Sequence, residues 1–217
     1  MDAFDAWLKQ KGVQQVTSEV RERMFDRFLR ETYTKRYRQM VDFVRGFGFK
    51  CPLSDQNMAS SPRMAQYRDL YEYVDNHTYF GNPRFLNPGP PKDVPTQTSQ
   101  KSALSQNIPV PNLFPTRMFG KPFTVTEWNY CIPNQYRAEG APLIGSYAAM
   151  QDWDMLVQFT YSHSLNGIFR DDFQRNHFDA ATDPALLSTA PIGDMLYRTI
   201  QPAKHAFSGL LADQADI

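Results

Sequence analysis

Hydrophobic positions along the chain fall into runs of two different periods. Between residues 17 and 45 they recur mostly at three- and four-residue steps: Val20, Met24, Phe28, Leu29, Tyr33, Tyr37, Met40, Val41 and Val44. That spacing gathers them on one face of a long helix. Ser18 stands where a hydroxyl can cap its start, and Gly46 and Gly48 stand where a helix closes. Residues 47–53 are short and apolar and run into the polar Ser54, Asp55, Gln56 and Asn57, which predicts a buried strand ending in a loop.

The same change of period repeats down the chain. Residues 62–71 predict a short helix. Residues 73–79 predict a strand with Asp75, His77 and Tyr79 at alternate positions, and so on one face. From 80 to 117 the chain is rich in Pro, Asn, Gln and Ser. Proline lacks the amide donor and restricts the residue before it, so regular helix is not expected there. A stretch of that length inside a compact domain is a functional loop or an insertion. Residues 121–128 predict a strand through the β-branched Thr124, Val125 and Thr126. Residues 142–152 predict a helix, with Leu143, Tyr147 and Met150 at helical spacing, and 155–161 predict a further strand. Asp183 caps and Pro184 opens a last helix to about Ile200, with Pro202 just beyond.

Strands spaced by helices imply one α/β domain over residues 1–217, with about four parallel strands. Four strand–helix units are half of a (β/α)8 barrel. They fit an open doubly wound sheet equally well, although no Gly-rich phosphate loop favours a nucleotide fold. Composition narrows the partners. Lys and Arg number 23 and Asp and Glu number 23, a balance that leaves no electrostatic footprint for nucleic acid or an anionic membrane. No run approaches the roughly 20 apolar residues of a membrane span. Met1, Asp2, Ala3, Phe4 and Asp5 lack the basic and apolar regions of a signal peptide, so none is expected in this chain. Cys51 and Cys131 are too few for a disulfide framework and suit buried free thiols.

Candidate chemistry centres on Glu127, at the C-terminal end of its strand between Thr126 and Trp128. In a β/α barrel that end of each strand faces the active site. An indole beside a carboxylate suits a sugar, whose apolar face can stack on the ring; the plainer reading has Glu127 capping the strand in solvent. His77 and Tyr79 can donate hydrogen bonds that stabilise a neighbouring carboxylate. A metal site through Asp75 and His77 lacks a third ligand, because His163, His177 and His205 fall on other elements, so neither metal nor cofactor is expected. Trp153 and Tyr161 flank the last strand and could line a sugar subsite, although Trp153 could equally be buried. Asn57 could bind a hydroxyl or close a turn. Tyr136 and Arg137, with Asn134 and Glu139, follow the Glu127 strand on a loop of the kind that carries specificity in barrels.

These pieces together resemble a known clan. Thr126-Glu127-Trp128-Asn129, then Tyr136-Arg137-Ala138-Glu139, the run from Tyr147 to Trp153 and the run from Phe159 to Ser162 resemble the retaining (β/α)8-barrel glycoside hydrolases, from strand five to strand eight. Asp75, His77 and Tyr79 look like the clan's sixth-strand motif. The resemblance implies that Glu127 is the nucleophile of a double displacement, that His77 and Tyr79 support it, and that Asn57, Asp75, Trp128, Tyr136, Arg137, Trp153 and Tyr161 contact carbohydrate. A second carboxylic acid, about 5 Å away, must serve as acid/base. In the clan it comes after an Asn at the end of strand four, and this sequence has no Asn-Glu pair. The segment from Asp2 to Leu8 resembles the stretch just after strand four of such barrels, and residues 17–45 resemble helix four. The expectation is a fragment of a larger, secreted or periplasmic glycosidase that has little activity alone. Two other readings stand beside it: a non-catalytic carbohydrate-binding or scaffold module, and an unrelated α/β or metal-dependent enzyme. A half barrel also exposes two strand edges, so pairing into a homodimer or aggregation is expected.

Overall fold

The computed structural model of the chain describes residues 3–13, 17–58, 66–86, 96–106, 109–169 and 176–202. Helix α1 (Ala3–Gln10) packs on the 29-residue α2 (Ser18–Gly46). The seam is aromatic: the Phe4 ring lies 5.1 Å from Phe25 and 5.5 Å from Phe28, and the Trp7 indole donates to Glu31 at 2.9 Å. The cap of α2 is Thr17 rather than Ser18. Its hydroxyl accepts from the Val20 amide at 3.4 Å, and Ser18 becomes the first helical residue. Further along α2, Tyr33 and Tyr37 pack on Tyr67 and Tyr71. Ion pairs from Arg30 to Asp69 at 2.9 Å and from Arg45 to Glu72 at 2.6 Å tie the helix to the segment that leads into the sheet.

Residues 47–53 do not form the expected strand. Their carbonyls are taken by a side chain instead: the Arg45 guanidinium donates to Phe49 at 2.9 Å and to Cys51 at 2.8 Å. Pro52 brings no amide donor, and Gln56 breaks the extended path with a φ of 60°. The stretch that does lie beside the sheet is the next one, held through two isolated bonds. The Glu72 amide donates to the Leu53 carbonyl at 3.0 Å and the His77 amide to the Asn57 carbonyl at 2.8 Å. Both partners advance together along the chain, so 53–57 runs parallel to the first strand without building a ladder. Of the helix expected over 62–71, residues 62–65 lie outside the described residues, and the rest contains one 3-10 turn, Arg68–Leu70. Arg68 is fully buried and donates to the carbonyls of Gln56 and Thr116, pinning the loop before the sheet to the loop that comes after β1.

The sheet is parallel and three-stranded among the described residues, rather than about four-stranded. Strand β1 (Val74–Phe80) comes first in the chain. A two-residue antiparallel pair, β2 (Arg84–Phe85) and β3 (Thr96–Gln97), sits in the Pro-rich region. Strand β4 (Phe123–Tyr130) is next, then helix α3 (Gly140–Met150), strand β5 (Met155–Gln158), the one-turn α4 (Leu165–Ile168) and α5 (Pro184–Thr199). The strand order is β1-β4-β5, with both pairs parallel. Asp183 caps α5 as its position predicts, accepting from the Leu186 amide at 2.9 Å. Val74, Phe123, Val125 and Trp128 bury one sheet face against Ile144 and Ala148 of α3, together with Trp153. Helices α3 and α5 meet almost backbone to backbone at Gly145 and Gly193. The opposite face carries Asp75, His77, Tyr79, Thr124 and Thr126. On β5, Met155 and Val157 are 41% and 44% exposed. No described helix is long and apolar enough to cross a membrane. Both cysteines are free, but Cys51 is exposed rather than buried; burial pushes the Cys131 thiol up to about 12.

Candidate active site

Strand alternation makes a definite statement about which residues share a face. Asp75, His77 and Tyr79 of β1 point one way, and on β4 an unbroken alternation would set Thr124, Thr126 and Trp128 beside them. Glu127 would then face the helices. The structure differs by one residue. Pairing runs Asp75 to Thr124 and Asn76 to Val125, then jumps to His77 opposite Glu127 and Thr78 opposite Trp128. Thr126 is the extra residue of a β-bulge, and the register with β5 slips at the same place. A bulge re-aims the side chains beyond it. Here both Thr126 and Glu127 reach the His77 side, and Trp128 is turned into the core.

The bulge gathers one continuous network. The Tyr79 hydroxyl donates to Glu127 Oε2 at 2.5 Å, and His77 Nδ1 lies 3.2 Å from the same oxygen. On the far side of the imidazole, Nε2 lies 3.2 Å from Thr126 Oγ1. Thr126 in turn donates to Asp75 Oδ2 through its hydroxyl and to Oδ1 through its amide at 3.1 Å, and Thr124 Oγ1 donates to Oδ1 at 2.6 Å. Burial falls along this line in order. The side chains of Asp75 and His77 are 8% and 10% exposed, whereas Glu127 is 34% exposed. Burial first, and then the bond to Glu127, hold the Tyr79 phenol above its ordinary value, so it remains a donor at neutral pH. No described group hydrogen-bonds to Glu127 Oε1. The result is a carboxylate anchored by one oxygen and open at the other. Phe178 and Phe159 stand edge-on to Tyr79, with ring centroids 5.3 and 6.4 Å away, and form an aromatic wall on one side.

Glu127, His77 and Tyr79 are thus brought together, and Asp75 lies beneath them, its two oxygens accepting from Thr124 and Thr126. Other predicted contacts fall elsewhere. Trp128 is 7% exposed and lines a cavity of about 300 Å³ between the sheet, α3 and α5, on the side away from Glu127. Trp153 is 3% exposed and packs on Phe123. Neither indole is open for a sugar to stack on. Arg137 pairs with the buried Asp183 at 2.8 Å instead of facing a substrate loop. Tyr136 and Tyr161 are exposed, and neither touches the network. Asn57 reaches β1 through its carbonyl, beside a polar cavity of about 160 Å³ that it lines with Asp55, Tyr73 and Asp75. Glu139 binds Ser102 Oγ and the Ala103 amide, fastening the Pro-rich segment to the loop after β4. Among the described residues no group of three or more His, Cys, Asp and Glu could hold a metal ion.

Sequence reasoning gave no site role to Thr124, Thr126, Phe159 or Phe178. A signal for Thr126 existed: Thr126 and Glu127 are adjacent polar residues in a strand, and only a break in alternation lets both face one site. No family model matches the chain, and no curated protein or solved structure matches it either.

Proposed function

We propose that the chain is the C-terminal half of a retaining (β/α)8-barrel glycoside hydrolase, with Glu127 as the nucleophile. The observation that carries this reading is the Glu127 carboxylate itself. Oε2 is held by Tyr79 and faced by His77, and Oε1 is open above a mostly polar sheet face. A nucleophile needs one oxygen free to reach the anomeric carbon and its orientation fixed by the other. The half-barrel geometry draws support from the strand order. Segment 53–57, β1, β4 and β5 lie side by side in chain order and run the same way, as barrel strands do and as strands across the switch point of a doubly wound sheet do not.

In this reading the acid/base carboxylate comes from the barrel half that precedes these strands. The chain alone can then expel only leaving groups that need no proton. Activated 2-deoxy-2-fluoro glycosides across a panel of sugars are expected to add one glycosyl mass to Glu127, and Glu127→Gln abolishes the adduct. Peptide mass spectrometry reads the site. Absence of any adduct, or an adduct on another residue, removes Glu127 as nucleophile. Steady turnover of ordinary aryl glycosides by this chain overturns the missing acid/base. The alternative, a module that grips sugar through Trp128, Trp153 and the tyrosines, loses both of those indoles to the core and keeps only exposed tyrosines such as Tyr136 and Tyr161.

A further inference from the structure

Each acceptor in the network limits where its protons can be. Asp75 accepts three hydrogen bonds and, as a carboxylate, donates none. The single proton of the Thr126 hydroxyl is therefore committed to Asp75. Thr126 Oγ1 can then meet His77 Nε2 only as an acceptor, so Nε2 must carry a proton. That leaves Nδ1 facing Glu127 Oε2 at 3.2 Å, in a charge contact rather than a hydrogen bond. The groups around the imidazole are Asp75, Thr126, Glu127 and, through the shared oxygen, Tyr79.

We infer that Asp75 is a positioning residue for Glu127: acting through Thr126, it fixes the proton on His77 Nε2 and so sets Nδ1 as the ring nitrogen that faces Glu127 Oε2. Its importance for catalysis rests on the reading of Glu127 as the nucleophile, but the proton assignment does not. The bulge makes the device possible, because it sets Thr126 between Asp75 and His77 while Glu127 still reaches Nδ1. Tyr79 donates to Oε2 from the other side, so the anchored oxygen lies between the phenol and the imidazole, and Oε1 is the oxygen without a described partner.

The test is the protonation pattern of His77 in the intact chain, read by long-range proton–nitrogen NMR on ¹⁵N-histidine protein, with His77→Gln assigning the signals. In the wild type, Nε2 is expected to be protonated at neutral pH. Asp75→Asn reverses the relay. The Thr124 hydroxyl can turn to the Val74 carbonyl, but the Thr126 amide needs an acceptor, so the new amide turns its oxygen to that amide and its NH2 to Thr126 Oγ1. The Thr126 proton then swings to His77, and Nε2 loses its own proton, leaving the ring neutral with its proton on Nδ1. A bare Nε2 in the wild type overturns the inference, and that spectrum decides the matter even if Asp75→Asn does not fold. An Asp75→Asn protein that folds and keeps Nε2 protonated overturns it too. Failure of Glu127 to label with a fluoro glycoside, alongside the expected NMR pattern, removes the glycosidase reading and leaves the relay standing.

Discussion

Arg137 lies after the Glu127 strand on a loop, where spacing alone suits a substrate contact. Its guanidinium instead closes on Asp183, whose side chain is wholly buried and also caps α5. Removing one partner of such a pair leaves an uncompensated buried charge, which costs about 3 kcal/mol. Arg137→Ala is accordingly expected to lower Tm by roughly 6–12 °C, at about 2–4 °C per kcal/mol for a chain of this size. Thermal unfolding followed by circular dichroism checks this; an unmoved Tm would return Arg137 to the candidate ligand contacts. Asp75 makes the same point. Its position suits a ligand contact, while its hydrogen bonds go to Thr124 and Thr126, and alternation along a strand reports neither burial depth nor partners.

The elements divide by how local their causes are. Helices α2, α3 and α5 were legible because their apolar periods lie within their own residues; Asp183 and Pro184 name the start of α5 without reference to anything else. The close crossing of α3 and α5 was not legible, since it depends on two glycines far apart in the chain. A Cβ on Gly145 would come within 2.3 Å of the Gly193 carbonyl oxygen. Gly145→Ala must push the helices apart and is expected to destabilise the fold by about 1–3 kcal/mol. Urea unfolding should show a lower midpoint at unchanged slope, and an unchanged midpoint would mean the crossing yields freely. The expected strand over 47–53 failed for a related reason. Its apolar run is real, but the Arg45 side chain takes the carbonyls that a ladder needs. Of the candidate site, the β1 face of His77 and Tyr79 was legible, because alternation is local. Trp128 was misplaced because a bulge is a property of the pairing between strands.

At the scale of the whole molecule, the two faces of the sheet differ, and the described helices α3 and α5 lie on one of them. Its helix side holds the core, and its other side holds the Glu127 network, with Met155 and Val157 exposed on β5. Strand β5 pairs with β4 on one edge and with no described strand on the other. An unpaired edge beside exposed apolar side chains recruits another chain. In the half-barrel reading, the isolated protein is expected to self-associate, either as a dimer that pairs its edges or as larger aggregates. Sedimentation velocity over a range of concentrations measures this. A monodisperse monomer at all of them would count against the half-barrel geometry, and Val157→Asp should shift a dimer toward monomer.

The bulge at Thr126 has a consequence that concerns counting rather than chemistry. Whether a strand residue faces one side or the other depends on the parity of its position, and Thr126 adds one to that count. Glu127 and Trp128 exchange sides on the strength of a single residue. Substitution can alter what Glu127 does, but it leaves the parity untouched. Gain or loss of one residue at this point reverses it and would turn Glu127 toward the helices.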